Sequence, residues 1–141
     1  MDTRFSSAIH TLILISESET PMTSEQIAVS VGTNASYIRK LTASLKKGGI
    51  ISSRQGVGGF SLAIAPNDLT LYAIYCAVQE RDKFNLFDVH ANPNDGCVVG
   101  KHITSVLTST FYEVEKAVSD AMKTYTLANV IDKMKKEIEK E

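Results

Sequence analysis

Cys97, with His90 and Asp88 before it and His102 after it, is where nucleophile, base and metal-ligand residue types gather in this sequence. As an enzyme site the group is poor. The available dyads are Asp88 with His90 or Cys97 with His102, and neither has a third orienting group or a loop shaped to hold an oxyanion. As a metal site it is also short of ligands, because one loop thiol with two histidines makes neither an iron–sulfur site nor a structural zinc site. What remains is the chemistry of the thiol itself. Cys97 stands just ahead of a helical stretch with Lys101 close by, a setting that favours the reactive thiolate. The competing reading is a small, half-buried residue, and the sequence leaves the two open. Cys76 lies inside another helical stretch and reads as core. Two cysteines do not make a disulfide framework.

A second chemistry is spread over a longer segment. No acidic residue occurs between Gln26 and Asn67, whereas Arg39, Lys40, Lys46, Lys47 and Arg54 are all basic. Residues 1–65 carry a net +2 and the remainder a net −3, so the overall charge of −1 conceals a local basic surface. Such a surface suits the phosphates of nucleic acid. The glycines of Arg54-Gln55-Gly56-Val57-Gly58-Gly59 match neither the P-loop nor the dinucleotide fingerprint, which speaks against a nucleotide-binding loop.

The elements that position these groups follow from apolar spacing. Phe5, Ala8, Ile9, Leu12 and Ile15 predict a first helix over 5–16. Thr23 and Gln26 form a capping-box pattern that opens a short helix through Val29, and Gly32 should close it in a left-handed turn. Thr33 or Asn34 then caps a helix carrying Ile38, Leu41 and Leu45 as far as Lys47. Ala28 lets two helices cross closely, and Ile38 and Leu41 turn inward. Ser36, Tyr37, Arg39, Lys40, Ala43 and Ser44 are left on the outer surface of a helix sized for the major groove. Residues 50–53 and 60–64 read as two short strands joined by the glycine-rich hairpin. A helix over about 70–80, a turn-rich loop over 85–96, a long apolar-striped helix from Ile103 to Tyr125 and a charged last helix from Leu127 complete the chain.

The expected fold is mainly α with a small β-hairpin wing: a winged helix-turn-helix followed by a long C-terminal dimerisation helix. The expected division is a DNA-binding domain over 1–66, a connecting helix and loop over 67–97, and dimerisation helices over 98–141. The long stripe could cover the N-terminal domain, but that domain is largely supplied with core, so pairing with a second copy is the better use. Pairing also sets two recognition helices about one DNA turn apart.

The runs Leu45-Lys46-Lys47-Gly48-Gly49-Ile50-Ile51, Ser52 to Leu62 and Asp95-Gly96-Cys97-Val98-Val99-Gly100 resemble the bacterial Rrf-type regulators, the family of IscR, NsrR and CymR, and most of all its cluster-free, YwnA-like branch. The resemblance covers nearly the whole chain. It implies a winged-helix homodimer that binds a palindromic operator, usually as a repressor. It places base or phosphate contacts on Ser36, Tyr37 and Arg39, and wing contacts around Gln55, Gly56, Gly58 and Gly59. Arg4, Lys40, Lys46 and Arg54 complete the DNA-binding candidates. The arginine usual in the family's wing falls where this chain has Gln55, with Arg54 one position earlier, so which side chain enters the minor groove stays open. Cluster-binding members carry three cysteines in the loop where this chain has Cys97 alone, so no cofactor is expected.

The leading expectation is a cytoplasmic, non-enzymatic, dimeric repressor that binds double-stranded DNA. Its operator affinity responds through Cys97 to oxidants or a small thiol-reactive effector. The alternatives are a winged-helix regulator answering a small molecule, and a protein-interaction module that has lost DNA. The acid-free stretch speaks against the last. No segment has the length or apolarity of a membrane span.

Overall fold

The structure is a computed structural model that describes residues 2–54, 58–80 and 84–141. In chain order the elements are α1 (Arg4–Glu17), α2 (Ser24–Val31), α3 (Ala35–Lys47), β1 (Ile51–Ser53), β2 (Phe60–Leu62), α4 (Leu71–Gln79), α5 (Val98–Met122) and α6 (Leu127–Glu139). The two strands form an antiparallel hairpin with Ile51 opposite Leu62 and Ser53 opposite Phe60. The expected class, mainly helical with a small wing, is the fold observed.

The helix boundaries have local causes. Thr23 and Gln26 cap α2 reciprocally: the Gln26 N–H donates to Thr23 Oγ1 at 3.2 Å and the Thr23 N–H donates to Gln26 Oε1 at 2.9 Å. Two orphan donors at the helix start are thereby satisfied. Thr126 caps α6 reciprocally with Asn129, whereas Thr70 and Asn34 cap α4 and α3 one way, each side-chain oxygen accepting a backbone N–H, from Ala73 and Tyr37 respectively. Gly32 ends α2 at φ 84°, a left-handed conformation that costs a residue with a Cβ far more.

The main core joins Ala8 and Leu12 of α1, Leu41 and Leu45 of α3, Ile50 just ahead of β1, Ile51 of β1, Leu69 ahead of α4, Ile74 and Val78 of α4, and Leu127 and Ile131 of α6. A smaller cluster of Ile27, Ala28 and Ile38 locks α2 to α3. Each fully buried aliphatic side chain contributes about 1.5–3 kcal/mol, so Ile38 and Leu45, both wholly inaccessible, fix the rotation of α3 about its axis.

The packing of the C-terminal helices differs from the sequence expectation in two ways. First, α6 returns to the N-terminal core rather than standing apart with α5. Its start is held to α4 by backbone pairing: the Leu71 N–H donates to the Tyr125 carbonyl at 2.9 Å and the Leu127 N–H to the Leu69 carbonyl at 2.8 Å. Lys135 adds an ion pair to Glu17 of α1. Second, α5 ends at Met122, so Tyr125 lies beyond the helix on whose stripe it was counted. The apolar band of α5 is split lengthwise. Ile103, Leu107, Phe111, Val118 and Met122 are half-buried, whereas Val106 and Val114 are exposed. Ser119 is the buried residue of this helix.

The segment before α5 lies along it. The Glu115 carboxylate accepts the backbone N–H groups of Leu86 and Phe87, and the Phe87 ring packs on Phe111 at 5.2 Å between centroids.

Candidate nucleic-acid interface

The helix-turn-helix is built by a four-residue hinge. Gly32 and Thr33 both donate their N–H groups to the Ala28 carbonyl, at 2.9 and 3.0 Å, which turns the chain sharply out of α2. Asn34 Oδ1 then accepts the Tyr37 N–H at 2.8 Å and starts α3. With Ile38, Leu41 and Leu45 buried, Ser36, Arg39, Lys40 and Ala43 are forced onto the exposed side. Tyr37 and Ser44, expected on that outer surface, are half-buried. Tyr37 packs against both core clusters, so its ring has a structural task whatever its hydroxyl contacts. Ser44 Oγ donates to Glu80 Oε1 at 3.2 Å.

Arg4 is brought to this face from the far end of the domain. It lines one cleft of about 390 Å³ with Tyr37, Lys40, Ala43 and Glu80. Its guanidinium is held by Asp2 at 2.6 Å and by Gln79 Oε1 at 3.0 Å. The hydrogen bond between them lowers the Asp2 carboxyl pKa and raises that of Arg4.

Lys46 reaches from the end of α3 to the hairpin, its Nζ donating to Ser53 Oγ at 2.8 Å. Arg54 is exposed at the end of β1, and its backbone N–H donates to the Gly59 carbonyl at 3.1 Å. Gly58 and Gly59 both have positive φ, 68° and 77°. Gln55 and Gly56, expected at the wing tip, lie outside the described residues. The structure therefore brings Arg4, Ser36, Arg39, Lys40, Lys46 and Arg54 to the surface of one compact unit.

Glu25 was not among the sequence candidates, yet its Oε1 accepts a hydrogen bond from Arg39 Nη1 at 3.1 Å. The only sequence signal for this was that the acid-free stretch begins immediately after it.

Cys97 is exposed and is the N-cap residue of α5, although its side chain makes no cap hydrogen bond. The backbone N–H groups of Gly100 and Val99 lower its thiol pKa. Cys76, in α4, is half-buried, and burial raises its pKa. Among the described residues, no three His, Cys, Asp or Glu side chains come together in a way that could hold a metal ion.

The model of a family described as iron-dependent transcriptional regulators, Rrf2, matches residues 1–133. This chain belongs to the Rrf2 family. Over 132 residues it is 42% identical to YwnA of Bacillus subtilis, named an HTH-type transcriptional regulator, with 94% of this chain and 97% of that protein covered. It is similar to a crystal structure described as a DNA-binding protein, 39% identical, with a TM-score of 0.76 over 91% of this chain and 98% of the other. T. potens IscR, 22% identical, shares the fold with a TM-score of 0.68 over 95% of this chain and 87% of its own.

Membership makes the chain a DNA-binding transcriptional regulator. The family's iron does not fit this donor set. An iron–sulfur cluster is held by several protein thiolates, and the sequence has two cysteines, one exposed at the start of α5 and one half-buried within α4. No helix among the described residues is long and apolar enough to cross a membrane.

Proposed function

We propose that this Rrf2 protein is a homodimeric repressor that reads a palindromic operator through α3 and the wing. The observation that carries the reading is the orientation of α3. Ile38, Leu41 and Leu45 are buried, so Ser36, Arg39 and Lys40 point outward on a helix that contains no acid. The N-terminal half of a recognition helix is the part that reaches base edges in the major groove. Arg39 supplies the donors for a guanine, Ser36 adds a base or phosphate contact, and Arg4, Lys40, Lys46 and Arg54 supply phosphate or minor-groove contacts. The exposed edge of α5 supports pairing. Val106 is 55% and Val114 43% accessible on a helix of 25 residues, about 37 Å long at 1.5 Å per residue. An exposed apolar edge on so long a helix is suited to a second copy of itself. Selection of bound duplexes from random DNA, with light scattering of the complex, tests the reading. It expects a two-fold symmetric site bound by two chains, and recovery of sequences without symmetry or bound by one chain would sink it.

We also propose that Cys97 receives the signal. Cys97 is exposed, and its thiolate is favoured by the N–H groups that open α5. Because the segment ahead of α5 joins it to the DNA-binding part, an oxidised or adducted Cys97 would shift the two against each other and lower operator affinity. The loop thiol thus takes the place of a cluster in this chain's response.

A further inference from the structure

Arg39 is a long side chain on an exposed helix face with nothing on its own helix to hold it. Its neighbours one turn away are Ala35, Ser36, Thr42 and Ala43. None is acidic or aromatic, and the Thr42 hydroxyl is already committed to the Ile38 and Arg39 carbonyls. A free arginine of this kind samples many rotamers, and that freedom is lost when it docks on a base. Its one hydrogen-bond partner among the described residues lies on the other helix of the motif: Glu25 Oε1, 3.1 Å from Nη1.

The geometry of that contact leaves the reading surface intact. Guanidinium has five N–H donors in a fixed plane. A single contact through Nη1 leaves the Nε–Nη2 edge, two parallel donors, free for the O6 and N7 acceptors of a guanine. The backbone of Glu25 is well fixed. It is the second residue of α2, inside the capping box that pins the helix start, and its charge sits where the helix dipole favours an anion. Gln26, the next residue of α2, is occupied in that cap. Glu25 is also the only acidic residue in α2, α3 and the strand-forming segments, from Ser24 to Asn67. An isolated carboxylate on a phosphate-facing surface weakens binding to any DNA, so its presence there calls for a compensating role.

We infer that Glu25 is a positioning residue for sequence reading: it holds Arg39 extended with its Nε–Nη2 edge toward the groove, gaining base discrimination at the expense of general affinity for DNA. This rests on the proposal that α3 reads the operator. The two effects have opposite signs, which a merely structural role would not produce.

The test uses the full chain, a duplex selected by the wild-type protein from random DNA, its single-base variants at the guanine most sensitive to Arg39→Ala, and a scrambled duplex. Glu25→Gln and Glu25→Ala should bind the scrambled duplex more tightly than wild type. They should also lose about 2–5-fold in the ratio of selected to single-base-substituted duplex, the size expected of an exposed ion pair. In an Arg39→Ala background the same Glu25 changes should leave that ratio unmoved. Melting temperatures close to wild type would show that the variants fold. Equal loss of affinity for all duplexes, or an undiminished ratio, overturns the inference. So does an equal effect with and without Arg39. If the wild-type protein selects no sequence at all, the parent reading of α3 fails, an outcome distinct from the others.

Discussion

Gly59, at the start of β2, lies directly against Pro21 in the turn between α1 and α2. A Cβ built on Gly59 would stand 2.5 Å from Pro21 Cβ and 3.1 Å from its Cα. The wing is therefore seated on the helix-turn-helix by a contact that admits no side chain. Gly58 is the control, since it shares the left-handed φ but a Cβ there would meet nothing within 4 Å among the described residues. Gly58→Ala should cost the backbone strain alone, about 1–2 kcal/mol. Gly59→Ala should cost that plus the clash, on the order of 2–4 kcal/mol, and should tilt the wing away from α3. Denaturant unfolding of the two variants side by side checks this. Equal losses would mean that the Pro21 contact does not set the wing.

The two kinds of DNA contact should separate by sequence dependence. Arg39→Ala should cost about 1–3 kcal/mol on the selected operator and much less on scrambled DNA. Lys46→Ala, whose amine sits between α3 and Ser53 of the wing, should weaken binding to both alike and reduce the salt slope by about one ion. Titrations at several salt concentrations decide it. Proportional losses from both variants on both duplexes would rule out base reading by Arg39.

The exposed edge of α5 predicts where dimerisation fails. Val106→Asp with Val114→Asp places two carboxylates on that edge without touching the core. Burying unpaired charge costs several kcal/mol per ion, so the dimer should weaken by at least roughly a hundredfold. Sedimentation or light scattering should then show a folded monomer with little affinity for a palindrome. A variant that remains dimeric would place the interface elsewhere. Truncation before α5 is a poorer test, because it also removes Leu127 and Ile131 from the main core.

Thiol reactivity should distinguish the two cysteines. A thiol becomes nucleophilic as it deprotonates, so a lowered pKa brings the onset of alkylation to lower pH and a raised one delays it. Cys97, lowered by the Gly100 and Val99 N–H groups, should alkylate well before Cys76, which burial pushes up. Peptide mass spectrometry over a pH series reads both. In mobility-shift titrations, peroxide or a disulfide donor should reduce operator affinity of wild type by roughly 5–150-fold, the usual range of allosteric coupling. Cys97→Ser should not respond. Equal release of both proteins, or of neither, would remove Cys97 as the sensor.

The sequence by itself determined the main helices, the caps of α2 and α3 and which aliphatic residues of α3 turn inward, because these depend on neighbours within one or two turns; the half-burial of Tyr37 and Ser44 came from packing against other elements. Thr23 with Gln26, Gly32 and Asn34 each act over four residues or fewer, and the 3.6-residue period sends Ile38 in and Arg39 out whatever the rest of the chain does. The acid-free stretch from Gln26 to Asn67 likewise specifies a basic surface. Tertiary structure alone decided the relations between distant segments. That Arg4 reaches Gln79, that Glu25 holds Arg39 and that Gly59 rests on Pro21 depends on how preformed elements dock, and no local spacing encodes it. The same holds for the C-terminal helices. Periodicity showed an apolar stripe on both α5 and α6 but not which surface each would cover. Backbone pairing around Thr70 and Thr126 turned α6 back into the core, and one edge of α5 was left open.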